Sequence, residues 1–133
     1  MILNRQRRVR VPLKQLERFL VRAQRALHLP AESFTVCLVT NAQIARWNRG
    51  YRRKNKPTDV LSFPAEEKSY LGDIAIAPAV ARRNARRFGR TFEDEMRILI
   101  LHGMLHLMGY DHETDTGQMD RREQRLRRTL GLA

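Results

Sequence analysis

The stretch TFEDEMRILILHGMLHLMGYDH, residues 91–112, decides how this chain folds. Thr91 offers a hydroxyl to cap a helix, and Glu93, Asp94 and Glu95 occupy the first turn, where carboxylates complement the positive end of the helix dipole. From Met96 to Met108 the segment is apolar almost all round, so it has no solvated face and predicts the central buried helix. Gly109 suits the left-handed position just past a helix end and stops it.

The flanking segments supply what packs around that helix. LGDIAIA (71–77) and DVLSFP (59–64) read as strands with a loop between them, and Pro78 closes the former. SFTVCLVT (33–40) reads as a buried strand, and residues 2–5 as a short one. From Pro12 to Leu29, Leu13, Leu16, Phe19, Leu20, Ala23 and Leu27 recur at helical spacing, with Pro12 suited to a first helical position and Pro30 ending the pattern. Asn41 is expected to cap a short helix through Trp47, a core residue, while NRGYRRKNKPT (48–58) reads as polar, basic and turn-like. Residues 79–88 predict a basic helix ended by Gly89, and a last helix runs from about Thr116 to Leu130. The expectation is a single small α+β domain over residues 1–133. It has one mixed β-sheet of about four strands packed with about five helices.

A chain of 133 residues fits one domain with an ordinary core. It carries 26 Lys+Arg against 14 Asp+Glu, a net charge of +12. Such a balance favours a polyanionic partner, nucleic acid ahead of an anionic membrane. No apolar stretch approaches the roughly 20 residues of a membrane span, and MILNRQRRVRVP lacks the apolar core of a secretory signal. The single cysteine, Cys37, cannot form an internal disulfide; it fits a reducing cytoplasm and reads as a buried structural thiol. The charge is segregated: residues 91–120 hold seven acidic residues and one basic, Arg97, together with three of the four histidines. The basic clusters are Arg5–Arg10, Arg46–Lys56, Arg82–Arg90 and Arg121–Arg128. Within ARRNARR, Arg82, Arg83, Arg86 and Arg87 line one broad helix face along which a polyphosphate can lie.

His102 and His106 are four apart, so on a helix they project from one face a turn apart. Gly109 turns the chain back, and His112 follows ten residues after His102. Two ligands from the central helix and one from the following loop make a tripod for one Zn²⁺. A tripod leaves the fourth tetrahedral position open, as in catalytic zinc sites. A core histidine cluster is the structural alternative, but imidazoles left unpaired there would cost about 1–3 kcal/mol each. The frame HxxxHxxGxxH is also that of the metzincin proteases, HExxHxxGxxH. Their glutamate base is Gly103 here, which lowers the rank of a peptidase reading.

HGMLHLMGYDH resembles the signature H-G-x-L-H-L-x-G-Y-D-H of the YbeY family of metal-dependent endoribonucleases and ribosomal RNA maturation factors. NRGYRRKNKPTDVLSFP is similar to that family's N-x-x-Y-R-x-K-x-x-P-T-D-V-L-S-F-P block, and LGDIAIA to its L-G-D-I strand. The three motifs keep family order over roughly residues 41–112. One departure is Arg53, where the family often has glycine. The resemblance implies a zinc site of His102, His106 and His112, a functional Arg52 beside it, and cleavage of single-stranded RNA. It further implies a role in processing and quality control of ribosomal RNA, chiefly at the small subunit.

A guanidinium meets charge developing on a phosphate with two parallel hydrogen bonds, so Arg52 is the catalytic candidate; residue chemistry alone does not separate it from Arg49 or Arg53. Asp111 beside His112 either orients a ligand imidazole or accepts a proton, with a plain turn role as the alternative. Asp73 reads as a turn or strand-edge residue, with hydrogen bonding to a metal ligand as the alternative; Thr58 and Asp59 read equally as functional or as loop-to-strand capping groups, and Tyr110 as a packing residue or a base-stacking one. A non-catalytic RNA-binding assembly factor with structural zinc is the remaining alternative. It needs a fourth protein ligand, and His28, at the end of the first helix, is a poor candidate.

Overall fold

The computed structural model describes residues 1–52, 59–67, 69–111 and 114–132, the side chains of Tyr51 and Arg52 excepted. The chain runs β1 (Ile2–Asn4), α1 (Leu13–Ala26), β2 (Phe34–Leu38), α2 (Asn41–Arg52), β3 (Val60–Glu67), β4 (Tyr70–Ile76), α3 (Pro78–Phe88), α4 (Phe92–Leu107) and α5 (Gln118–Thr129). The strands form one sheet in the order β1-β2-β4-β3. β1, β2 and β4 are parallel neighbours, and β3 returns antiparallel to β4, so the sheet is mixed as expected. No helix among the described residues is long and apolar enough to cross a membrane.

Strand alternation splits the sheet into two faces. Val36, Leu38, Ile74 and Ile76 join the larger core, with Leu16, Phe19 and Leu20 of α1 and Met96, Ile100, Leu101 and Met104 of α4. Leu61 and Ala75 face the other way, against Ile44 of α2 and Val80 of α3. Helix α4 is central, in contact with α1, α3, α5, β3 and β4. Its start is as predicted, the Thr91 hydroxyl accepting from Asp94 N–H at 3.1 Å. Glu95, expected to serve the helix dipole, is instead buried and paired with Arg90 at 2.8 Å.

Helix α4 meets the sheet at Gly103. A Cβ there would lie 2.8 Å from Ile74 Cγ2, and Ser62 Oγ donates to the Gly103 carbonyl at 3.3 Å. Only glycine allows this approach, because the branched Ile74 side chain is stiff and cannot swing aside. Gly103→Ala is therefore expected to lose about 1–3 kcal/mol of stability, the usual cost of overpacking, read from chemical denaturation; an unchanged midpoint would contradict this packing.

Three local expectations are corrected. Helix α2 continues through the segment read as a turn, to Arg52, and Thr40 caps it in place of Asn41, its hydroxyl accepting from Gln43 N–H at 3.1 Å. Strands β3 and β4 extend to Glu67 and from Tyr70, leaving a tight hairpin in place of a loop. Trp47 is not core but 37% exposed, its ring edge-on to Phe63 with centroids 5.9 Å apart. Cys37 is half-buried, and burial together with nearby Asp73 pushes its thiol pKa up, as suits an inert thiol.

Candidate metal centre

The apolar core around α4 breaks where His102 and His106 emerge half-buried from its last two turns. Their rings meet edge to face, with centroids 4.7 Å apart and planes at 75°. Their Nε2 atoms lie 3.2 Å apart. Two nitrogens each about 2.0–2.1 Å from a zinc ion at the tetrahedral angle stand about 3.3–3.4 Å apart. The pair is therefore spaced as two ligands of one ion.

What holds that arrangement comes from α5. His102 Nδ1 is 2.8 Å from Glu123 Oε1, and Arg127 donates to Glu123 Oε2 at 2.7 Å. A carboxylate only accepts, so Nδ1 carries the ring proton and leaves the Nε2 lone pair facing His106. Carboxylates commonly orient metal-binding imidazoles in this way. Burial pushes the Glu123 carboxyl upward, but the hydrogen bond from His102 and the guanidinium of Arg127 outweigh it and hold the pKa below the usual value. Glu123 was not foreseen. Its signal lay in the stripe Met119, Glu123, Leu126 and Leu130, four buried positions at helical spacing of which one is a carboxylate.

Of the predicted site residues, the structure brings His102 and His106 together. His112 lies outside the described residues, as does the side chain of Arg52, whose backbone ends α2. Among the described residues no group of three His, Cys, Asp or Glu could hold a metal ion. Asp111 stands exposed just after α4, its carbonyl accepting from Thr114 and Asp115 N–H at 3.3 and 3.0 Å. Asp73 follows Gly72 and precedes Ile74, so it faces away from α4; Tyr70 donates to it at 2.5 Å and accepts from Thr35. Asp59 stands just before β3: its carboxylate accepts from Asn84 of α3 at 3.2 Å, and its carbonyl accepts from Ala77 N–H, one step beyond the Val60–Ile76 pair of the ladder. Position 103, where the proteases carry their base, is packed against Ile74 with no room for a glutamate.

The family model of endoribonuclease YbeY matches residues 1–131. The chain belongs to the YbeY family. An endoribonuclease YbeY of Solibacter usitatus is 46% identical over 117 residues, 88% of this chain and 78% of that protein. The YbeY of Koribacter versatilis is 42% identical over 99% of this chain and 86% of its own. A solution structure from Thermotoga maritima superposes with a TM-score of 0.68 at 30% identity, covering 98% of this chain and 89% of that one. The YbeY motifs therefore fall on structure in a consistent way: the L-G-D-I segment is β4, and the histidine signature is the end of α4 with its exit.

Proposed function

We propose that this chain is a single-strand-specific endoribonuclease acting in ribosomal RNA processing, with one zinc ion held by His102, His106 and His112. The observation that carries the metal reading is the 3.2 Å pairing of two Nε2 atoms, one of them set by a buried carboxylate. The ion would supply Lewis acidity at a phosphoryl oxygen and a nucleophile near neutral pH. The chain's own residues do the rest. Glu123 keeps His102 in the tautomer whose Nε2 lone pair faces His106. Arg52 meets the negative charge that builds on the phosphate, with two donors at once. Asp111, exposed at the helix exit, takes up the proton released during hydrolysis or orients His112. The net charge of +12 suits retention of RNA, and the small ribosomal subunit in the cytoplasm is the proposed setting, with target choice borrowed from it.

The test incubates purified protein with single-stranded RNA and with an unstructured peptide, with and without chelator, followed by zinc add-back. The expected result is RNA cleavage that chelation removes and zinc restores, with the peptide intact. Peptide cleavage, or RNA cleavage indifferent to chelation, would overturn the reading.

Glu123→Gln keeps the shape but weakens the charge-assisted bond to His102 and gives up the ion pair with Arg127. Zinc affinity is expected to fall about 10- to 100-fold, measured by competition with a chromophoric chelator. An unchanged affinity would reduce Glu123 to a structural residue.

A further inference from the structure

Helix α5 has two roles along its length, and only the inward one belongs to the metal centre. Met119, Glu123, Leu126 and Leu130 face the protein, with Glu123 on His102. On the outer side Arg121, Arg125 and Arg128 recur at i, i+4 and i+7, which sets them on one stripe about 10 Å long. All three are exposed. Together with Arg122 and Tyr110 they line an open groove of about 540 Å³.

Three features make this groove more than a solvated face. First, the four arginines meet a single carboxylate in the lining, that of Asp120. Second, none of the four forms an ion pair among the described residues, whereas Arg127 on the same helix is committed to Glu123. Arg121 makes only a 3.3 Å bond to the Thr116 carbonyl. Third, Tyr110 ties the groove to the metal centre: it follows Gly109 at the exit of α4, four residues after His106 and two before His112.

We propose that this α5 groove binds the sugar–phosphate backbone of single-stranded RNA on one side of the cleaved bond. The inference rests on the ribonuclease reading and adds a subsite to it. Four guanidiniums on one helix, none in an ion pair among the described residues, match a polyanion whose charges repeat along its length, and arginine is the side chain best fitted to phosphate. The groove is basic rather than aromatic, so it holds the strand by charge, whatever the base sequence. Tyr110 lines the groove and stands four residues after His106, so the groove reaches the exit of the helix that carries the histidines.

The test measures anisotropy of a labelled 20-nucleotide single-stranded RNA, its intactness checked on a gel, at several salt concentrations. The groove variant is Arg121→Gln/Arg125→Gln/Arg128→Gln. It spares half-buried Arg122, and thermal melting checks its fold. The control is Arg7→Gln/Arg8→Gln/Arg10→Gln, which removes equal charge from an exposed segment near the N-terminus. The groove variant is expected to bind at least about tenfold more weakly at moderate salt, and the slope of log affinity against log salt should fall by about 2. The control should lose markedly less.

Equal weakening in the two variants would overturn the proposal, since charge alone would then explain binding. Unchanged binding in the groove variant would overturn it as well. So would groove-dependent binding to vesicles of phosphatidylglycerol and phosphatidylcholine with none to RNA. Binding is read separately from turnover. A chain that holds RNA through the groove yet never cleaves it supports the subsite and removes the catalytic reading. A chain that cleaves while the groove variant binds normally does the reverse.

Discussion

His106→Ala is expected to abolish zinc binding at this site and to reduce RNA cleavage about a thousandfold or more. The ring it removes contributes one of two Nε2 atoms standing 3.2 Å apart. Without it the tripod proposed from His102, His106 and His112 has two members, below the three protein ligands of catalytic zinc sites. A metal acting as Lewis acid supplies several kcal/mol to the transition state, and about 4 kcal/mol corresponds to three powers of ten in rate. The fold should survive. His106 is only half-buried, alanine is a good helix former, and α4 is held by Ile100, Leu101, Met104 and Leu105. Zinc stoichiometry, cleavage of labelled RNA and thermal melting are measured together. Cleavage within threefold of wild type in a variant that binds no zinc would remove the metal from the reaction.

The central helix was legible because its composition leaves one option: a segment apolar on every side must be buried, and a capping threonine and a terminal glycine fix its ends. Two of the places where the sequence misled share a cause. Segments at the periphery are held by neighbours that composition does not reveal. Asn48–Arg52 looks like a turn because it is polar and contains Gly50, yet it is helical: Ile44 packs with Leu61 and Ala75 of the sheet, and Asn48, one turn on, is buried too. Pro64, Glu66 and Glu67 argue against a strand in general, but β3 lies at the edge of the sheet, where proline and charge are tolerated. The histidine pair was readable from i, i+4 spacing alone. Its carboxylate partner was not, because Glu123 belongs to another helix, and only packing brings α5 onto α4.

Arg52→Ala is expected to lower turnover about 100- to 1000-fold while zinc affinity stays unchanged, the range found when one preorganised donor to a developing charge is removed. Residue chemistry did not distinguish Arg52 from its neighbours; its place in the motif similar to the YbeY block makes it the candidate, and its backbone closes α2. Ile44 and Asn48 are the buried positions of this helix, four residues apart, and Arg52 stands four further on, in register with them. Arg49 is exposed, one position off that stripe. Arg52→Lys should recover only part of the loss, since an ammonium is a point charge and cannot offer two parallel N–H groups. Arg49→Ala should change kcat by less than threefold. Single-turnover cleavage with zinc-saturated protein separates these outcomes from weaker RNA binding. Equal losses in the Arg49 and Arg52 variants would assign both to bulk charge and leave the phosphate without a dedicated donor.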